Sequence, residues 1–139
     1  QTKYCVDSGY GRVDNKTMLD LFDDAAYVNW GGEWRMPTKE EYDELRNPSY
    51  TNWIWTSKNG VKGYKVTSKT NGNSIFLPVA GILGSLDLSF AGTRGYYWSS
   101  YAHAIYLDDT SCLDFNSSNV DVKWYFRYFG MPVRPVKNK

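Results

Sequence analysis

Residues 63–78 contain the strongest local constraint on the fold, because two alternating segments flank an Asn-Gly turn signal. The first segment, GYKVT at 63–67, alternates inward Tyr64 and Val66 with polar or small residues, as a half-buried strand does. The second segment, SIFLP, follows Asn71-Gly72, and these two residue types tolerate the backbone angles of tight hairpin turns. The sequence therefore predicts an antiparallel β-hairpin. Further strands are predicted at 53–56, 96–99, 111–115 and 131–136, with an irregular Gly-rich loop at 81–95.

Two short helices are predicted before this hairpin. Asp23 or Asp24 caps the first, which begins at residue 25 and ends at a pair of glycines. Thr38 precedes Glu41 by three residues, which is a capping box at the start of the second helix, and an Asn-Pro dipeptide ends that helix. Two helices followed by a small, interrupted antiparallel sheet predict the α+β class.

Composition excludes several classes of protein. The chain has 139 residues, which predicts one domain over 1–139, and 16 basic against 15 acidic residues give a net charge of +1. That balance argues against a nucleic-acid partner bound by bulk electrostatics. No apolar run approaches the roughly 20 residues of a membrane helix, so we expect no direct membrane insertion. An apolar fraction of 42% is enough for one core.

Residues for catalysis and metal binding are scarce. Cys5 and Cys112 have no CxxC partner or His cluster, and the sequence leaves open whether they pair. His103 is the only histidine, and a lone loop histidine beside Asp108 and Asp109 is more often a surface group than a catalytic base. These two adjacent carboxylates would point to opposite faces of a strand. The sequence therefore predicts no enzyme activity, no cofactor and no metal site.

Motifs along nearly the whole chain resemble the FISUMP-type "major paralogous" domain, which is similar to the formylglycine-generating-enzyme branch of the C-type lectin fold. The matching strings are DDAA at 23–26, WGGEWRMPT at 30–38, NGV at 59–61, GYKVT at 63–67, NGNSIFLP at 71–78, AG at 80–81, YWSS at 97–100, FNSSNV at 115–120 and VRPV at 133–136.

The resemblance implies a C-type lectin-like fold, with two helices packed on a small twisted antiparallel sheet and long irregular loops. It also implies a secreted or cell-surface protein, or one on a phage particle. Members of the family usually carry a further N-terminal region whose strand pairs with the last strand. The segment 131–136 would then need another neighbour, supplied by a missing N-terminal segment or a larger surface assembly. The thiol pair that holds copper in the related enzymes and the calcium-binding strings of C-type lectins are both absent.

Aromatic residues are concentrated between residues 96 and 130, which hold 11 of the 24 in the chain. Proportional spreading would place about six there. Trp98 and Phe115 lie in strings that resemble core strings of the family, and the resemblance implies that both are buried. Five aromatics among residues 124–129 cannot all face one side of a strand, so some should be exposed. Composition alone favours a recognition surface and an irregular aromatic core equally.

The resemblance favours the recognition surface, because some relatives are diversified by retroelements that miscopy adenines. Asn codons altered in this way yield Asp, Tyr, Phe, His, Ser, Cys, Ala or Ile. Residues of these types occur at 101–103, 108–109, 112, 114, 121, 125–126 and 129. On this interpretation Cys112 lies on an outward face and arose by diversification. Trp124 would require a Lys codon.

The sequence thus predicts a ligand-display domain whose variable binding region spans about 96–130 and which binds a protein or glycan on a cell surface. Two fixed modules remain as alternatives, a carbohydrate-binding module and a structural module of a pilus or surface fibre. The predicted ligand-contacting residues are Tyr101, His103, Asp108, Asp109, Thr110, Cys112, Asp114, Asp121, Lys123, Trp124, Tyr125, Phe126, Tyr128 and Phe129.

Overall fold

Turn and capping residues divide this chain into many short elements. The computed structural model describes residues 3–9, 11–106 and 108–138. The helices are a 3-10 turn at Leu21–Asp23, α1 at Ala25–Trp30 and α2 at Lys39–Leu45. The strands are β1 Trp34–Arg35, β2 Thr51–Lys58, β3 Val61–Ser68, β4 Ser74–Pro78, β5 Ile82–Leu83, β6 Leu88–Ser89, β7 Gly95–Ala102, β8 Asp109–Phe115, β9 Val120–Phe126 and β10 Val136–Lys137.

The prediction of an α+β, C-type lectin-like fold is wrong. Over the described residues the structure is mostly β, with 40% strand and 12% helix, and its strands form four small antiparallel sheets. Helices α1 and α2 contain only six and seven residues, whereas the strands include β9 and the β5–β6 hairpin, which the sequence analysis did not predict. Both predicted boundaries of α1 are present, because Asp24 caps its start and Gly31, in the left-handed region (φ 65°), ends it after less than two turns.

The first large sheet has the order β2-β3-β4 and confirms the predicted hairpin. Gly72 has φ 73° in the β3–β4 connection, where Ser68 N donates to Asn73 O at 2.9 Å. The β2–β3 turn is tighter, because Asn59 and Gly60 both have positive φ and Lys58 pairs directly with Val61. This second Asn-Gly turn is of the kind that best matches the twist of the flanking strands.

The second large sheet has the order β7-β8-β9, and its last strand was absent from the sequence prediction. The segment 81–95, predicted as an irregular loop, contains the small β5–β6 hairpin. The prediction of a strand over 131–136 is wrong. Pro132 and Pro135 have no backbone N–H to donate to a neighbouring strand. Strand pairing begins only with the two-residue strand β10, whose partner is β1. Trp98 N donates to Pro132 O at 3.1 Å, so the segment runs beside β7.

Both helix starts agree with their predicted caps. Asp24 accepts hydrogen bonds from Ala26 N and Tyr27 N at the start of α1, and its other oxygen accepts from Met36 N at 2.8 Å. Thr38 and Glu41 form the predicted capping box of α2. These bonds fix the turn between α1 and α2 because one carboxylate joins both.

Two apolar clusters lie on opposite faces of sheet β7–β9. The main core places Tyr42 of α2 and the inner face of the β2–β4 sheet against Tyr97, Leu113 and Phe115. The second cluster contains Ile82, Tyr96 and Cys112, with Trp98, Tyr125, Phe129 and Met131 packed around it. Phe115 is buried as predicted, whereas Trp98 is only half-buried. Sheet β7–β9 is therefore covered on both sides.

Candidate ligand-binding surface

Register in sheet β7–β9 divides the predicted ligand-contacting residues between its two faces. Thr110, Cys112 and Asp114 alternate with Ser111, Leu113 and Phe115 along β8. Tyr125 and Lys123 lie opposite Thr110 and Cys112, on the face of the second cluster. Trp124 lies on the main-core face, further along the sheet than the core itself.

Asp114 is the centre of a buried polar network. Its side chain is 1% exposed and accepts hydrogen bonds from Arg94 Nη2 at 2.6 and 2.7 Å. Lys123 Nζ lies 3.2 Å away, and Tyr125 Oη donates at 3.0 Å. Burial alone would raise the pKa of Asp114, but these three donors outweigh it and hold the pKa below its ordinary value. A ligand would reach this carboxylate only by displacing its partners.

Cys112 does not lie on an outward face, so that prediction is wrong. Its side chain is 0% exposed, packed with Tyr96 and Ile82. This face of β8 is buried because the segments 81–94 and 126–131 cover it. Alternation of residue types along a strand does not reveal whether other segments cover a face. Burial raises the pKa of the Cys112 thiol. Cys112 and Cys5 are both buried and unpaired, which answers the question of a disulfide between them.

Exposed aromatic rings gather at one end of sheet β7–β9. Two segments form this end, the β7–β8 turn at 103–106 and the chain after β9 at 126–130, and we call it the aromatic end. The two segments are adjacent, because Arg127 N donates to Asp108 O at 2.6 Å and Asp109 pairs with Phe126. Tyr106 is 65% exposed and Tyr128 is 68% exposed.

His103 holds the β7–β8 turn in shape. Its Nδ1 accepts hydrogen bonds from Ile105 N and Tyr106 N, both at 3.0 Å. This role requires Nδ1 to be without a proton, as in the neutral tautomer protonated on Nε2. The imidazole also packs against Trp124 at 4.4 Å and Tyr106 at 4.9 Å between ring centroids. A turn with these contacts presents Ile105 and Tyr106 in a defined position.

The rings after β9 pack on one another. Phe126 and Tyr128 are stacked with centroids 5.3 Å apart and planes 12° apart, and Phe129 lies 4.6 Å from Tyr128. Gly130 pairs with Leu83 through two backbone hydrogen bonds of 2.8 Å, which brings the β5–β6 hairpin alongside. That hairpin adds exposed Leu83, Leu86 and Leu88. Exposed apolar side chains therefore project from neighbouring segments whose backbones are joined by hydrogen bonds.

The remaining predicted residues lie at the margins of the aromatic end or away from it. Tyr101 is half-buried with its ring 6.1 Å from Trp124, and Thr110 lines a cavity of about 180 Å³ beside Trp98 and Arg127. Asp108 is exposed and Asp109 half-buried at this end. Asp121 lies at the opposite end of β9, where Arg46 approaches it at 3.4 Å.

Sequence reasoning missed several residues of this region. Ile105 is 74% exposed at the turn, and Leu86 is 92% exposed on the β5–β6 hairpin. An apolar residue within a short polar turn is the signal that could have identified Ile105. Nothing local to Arg94 predicts that it pairs with Asp114, since the two are 20 residues apart. Their meeting depends on the path of the segment 81–94.

Two further findings concern metal binding and membrane crossing. Within residues 3–9, 11–106 and 108–138, no three His, Cys, Asp or Glu side chains come together as a possible metal site. The helices that the structure describes are all too short or too polar to cross a bilayer. Comparison with known proteins found no matching family model, no matching curated protein and no matching solved structure.

Proposed function

We propose that this domain binds a ligand through the aromatic end and carries out no chemical step. The observation that carries the proposal is the exposure of Tyr106, Tyr128 and Phe126 on turns whose backbone is fixed by hydrogen bonds. Aromatic side chains held in this way supply large contact areas at low entropic cost. A fold maintained for its own stability gains little from exposing such rings to water.

The polar groups around the rings suit a recognition surface. Asp108 and Arg127 lie beside the aromatic residues. Apolar anchors surrounded by charged groups are typical of protein interfaces. We propose a protein or glycan on a cell surface as the ligand, with the domain secreted, displayed on a cell surface or carried by a phage particle.

The retroelement hypothesis concerns mainly those diversifiable positions that are exposed. Phe126 and Asp108, which are reachable from Asn codons, are exposed at the aromatic end, whereas Phe129 there is half-buried against the second cluster. Cys112 and Asp114 are reachable too but buried. We propose that diversification, if the gene undergoes it, acts on ligand choice mainly through the exposed subset.

Stacked rings also support the alternative of a fixed carbohydrate-binding module. Tyr128 and Phe126 present an aromatic platform, and sugar rings stack on such platforms through their C–H faces. The two candidates differ in selectivity. A fixed module should bind simple glycans, whereas a display domain should select one protein or one complex glycan.

The experiment screens the labelled domain on a glycan array and on a panel of purified surface proteins, and then measures affinity for the strongest binder. The double variant Tyr106→Ser, Tyr128→Ser should weaken binding by at least about 30-fold, equivalent to about 2 kcal/mol. Tyr50→Ser is the matched control, since Tyr50 is 51% exposed and follows α2.

Circular dichroism of both variants should equal that of the parent, because none of the three tyrosines lies in a core cluster. A double variant that binds as tightly as the parent contradicts the proposal. Equal losses from Tyr50→Ser would place the contact surface elsewhere.

A further inference from the structure

A second candidate site lies away from the aromatic end. An apolar cleft of about 380 Å³ opens where α2, β4 and the β1–β10 pair meet. Its apolar wall includes Trp34, Leu45, Ile75, Leu77, Pro135 and Val136. The volume falls in the range of small-molecule pockets, at its lower end. Trp34 is 39% exposed at this cleft.

Most charges beside the cleft are neutralised within the chain. Glu41 accepts from Arg35 Nη1 and Nη2, both at 2.7 Å, and from Thr38 N at 2.9 Å. Lys137 pairs with Glu33 at 2.9 Å at the solvent edge. Neither carboxylate is therefore available to a positively charged ligand without losing an internal partner.

Arg134 is the exception. It lines the cleft, and the ion pairs among the described residues do not include it. Arg134 is exposed, so it lies at the solvent side of the cleft, next to the apolar residues Pro135 and Val136. A guanidinium next to apolar walls is a strong site for a planar anion.

We propose that this cleft binds a carboxylate attached to an apolar group about the size of a phenyl ring. The carboxylate pairs with Arg134, and the apolar group packs between Trp34 and the Ile75–Leu77 side of β4. Phosphate monoesters fit less well, because a dianion would bring more charge than one guanidinium neutralises into an apolar site. The same chemistry is found in free small acids and in the C-terminal residue of a peptide.

The test uses 3-phenylpropionate and, as its uncharged match, 3-phenylpropanamide. Each is titrated into the ¹⁵N-labelled chain while the Trp34 indole N–H and the Ile75 and Leu77 amide signals are followed by NMR. We expect the acid to saturate these signals and to bind at least about 10-fold more tightly than the amide, which corresponds to one charge-assisted hydrogen-bond pair. Arg134→Gln should abolish the difference between the two probes.

Arg12→Gln is the matched control, because Arg12 is an exposed arginine outside the cleft and should leave the affinity for the acid unchanged. Arg134→Lys keeps the charge and should retain part of the preference, which separates loss of the pair from misfolding. Equal binding of acid and amide by the parent overturns the proposal. So does a failure of the acid to saturate below about 10 mM.

Acetyl-Ala-Phe with a free carboxylate distinguishes the two sources. Binding of this peptide at least as tightly as the small acid indicates recognition of a C-terminus, and weaker binding indicates a free acid. The double variant Tyr106→Ser, Tyr128→Ser should still bind 3-phenylpropionate as the parent does. The outcome at the cleft is therefore independent of the outcome at the aromatic end.

Discussion

The surroundings of Asp114 indicate a contribution to stability rather than to ligand binding. A buried carboxylate is costly unless donors surround it, and Arg94, Lys123 and Tyr125 provide them. Asp114→Asn should lower the free energy of unfolding by about 2–3 kcal/mol. That is below the usual cost of breaking a buried ion pair because Arg94 retains some contact with water. Urea denaturation of both proteins at pH 7 measures this difference.

Asp121→Asn serves as the control for Asp114→Asn. Its partner Arg46 is 3.4 Å away and both side chains are about 40% exposed, so the change should be below about 0.5 kcal/mol. Equal effects of the two substitutions would contradict the buried network.

The contribution of Asp114 to the free energy of unfolding also depends on pH, and the direction of this dependence follows from its pKa. Its folded pKa lies below the unfolded value near 3.8, so the folded state binds the proton less readily. The stabilisation is present in full above about pH 5 and is lost as the pH falls through the folded pKa. The difference between parent and Asp114→Asn should therefore shrink when urea denaturation is repeated at pH 3. A difference that grows on acidification would mean that the folded pKa is raised.

The two cysteines give a prediction that sequence alone could not. Both thiols are unpaired and 0% exposed, and burial raises the pKa of Cys112. Iodoacetamide at pH 8 should therefore label neither residue in the folded chain and both in 6 M guanidinium, because the reagent reacts only with a thiolate that it can reach. Mass spectrometry of the intact protein counts the labels. Rapid labelling of Cys112 without denaturant would contradict its burial.

At the scale of elements, the β7–β8 turn links the fold to the proposed function. His103→Ala removes the acceptor for Ile105 N and Tyr106 N, which are bound at 3.0 Å. Losing hydrogen bonds worth about 1 kcal/mol should speed amide exchange at these two positions by about five-fold. His103→Asn should restore most of the protection, because the Asn side chain accepts hydrogen bonds from nearby backbone N–H groups. Hydrogen exchange followed by NMR makes the comparison.

Another turn provides the internal control for this experiment. Asn116 Oδ1 accepts from Ser118 N and Asn119 N in the β8–β9 turn, at 2.9 and 3.0 Å. Exchange at Asn119 should not change in either His103 variant. Unchanged exchange at Ile105 and Tyr106 in His103→Ala would show that the turn does not depend on the imidazole.

Elements were predictable from sequence where their causes are local. The Thr38–Glu41 box and the Asn71-Gly72 turn act within a few residues, and the helix start and hairpin follow from them. Strand β9 was missed because its aromatic run resembled an exposed segment, whereas pairing with β8 decides its state. The fold class failed for a related reason, since both helices have about the predicted length and the strands that make the structure mostly β include β5, β6 and β9, which form through pairing that local sequence does not show.

At the scale of the whole molecule, the candidate site also has a part that the sequence predicts and a part that depends on long-range packing. That some aromatics among residues 124–129 are exposed follows from strand alternation, and Phe126 and Tyr128 are exposed. That they lie at the same end of the sheet as Tyr106 depends on the pairing of two segments about 20 residues apart in sequence, where Arg127 N donates to Asp108 O. The partnership of Arg94 with Asp114 likewise depends on how the chain covers the sheet. Sequence indicates the residue types of a recognition surface, and long-range packing selects which of them reach it.

This division leads to a prediction about natural variation of the gene. If a retroelement diversifies the domain, a near-copy of the coding stretch for residues 96–136 should lie beside a reverse transcriptase gene and differ from it only at adenines. Miscopying does not distinguish buried from exposed codons, but folding does. Alleles that place other residue types at Cys112 or Asp114 would lose core packing or the buried network.

Functional alleles should therefore vary at Asp108 and Phe126 while keeping Cys112 and Asp114. Sequencing the gene and its neighbourhood in many isolates tests both parts. A template copy together with variation confined to exposed positions supports a diversified receptor. If no such copy exists and isolates agree at Phe126 and Phe129, the aromatic end contacts one fixed partner, because a surface that changes its ligand must change its apolar anchors.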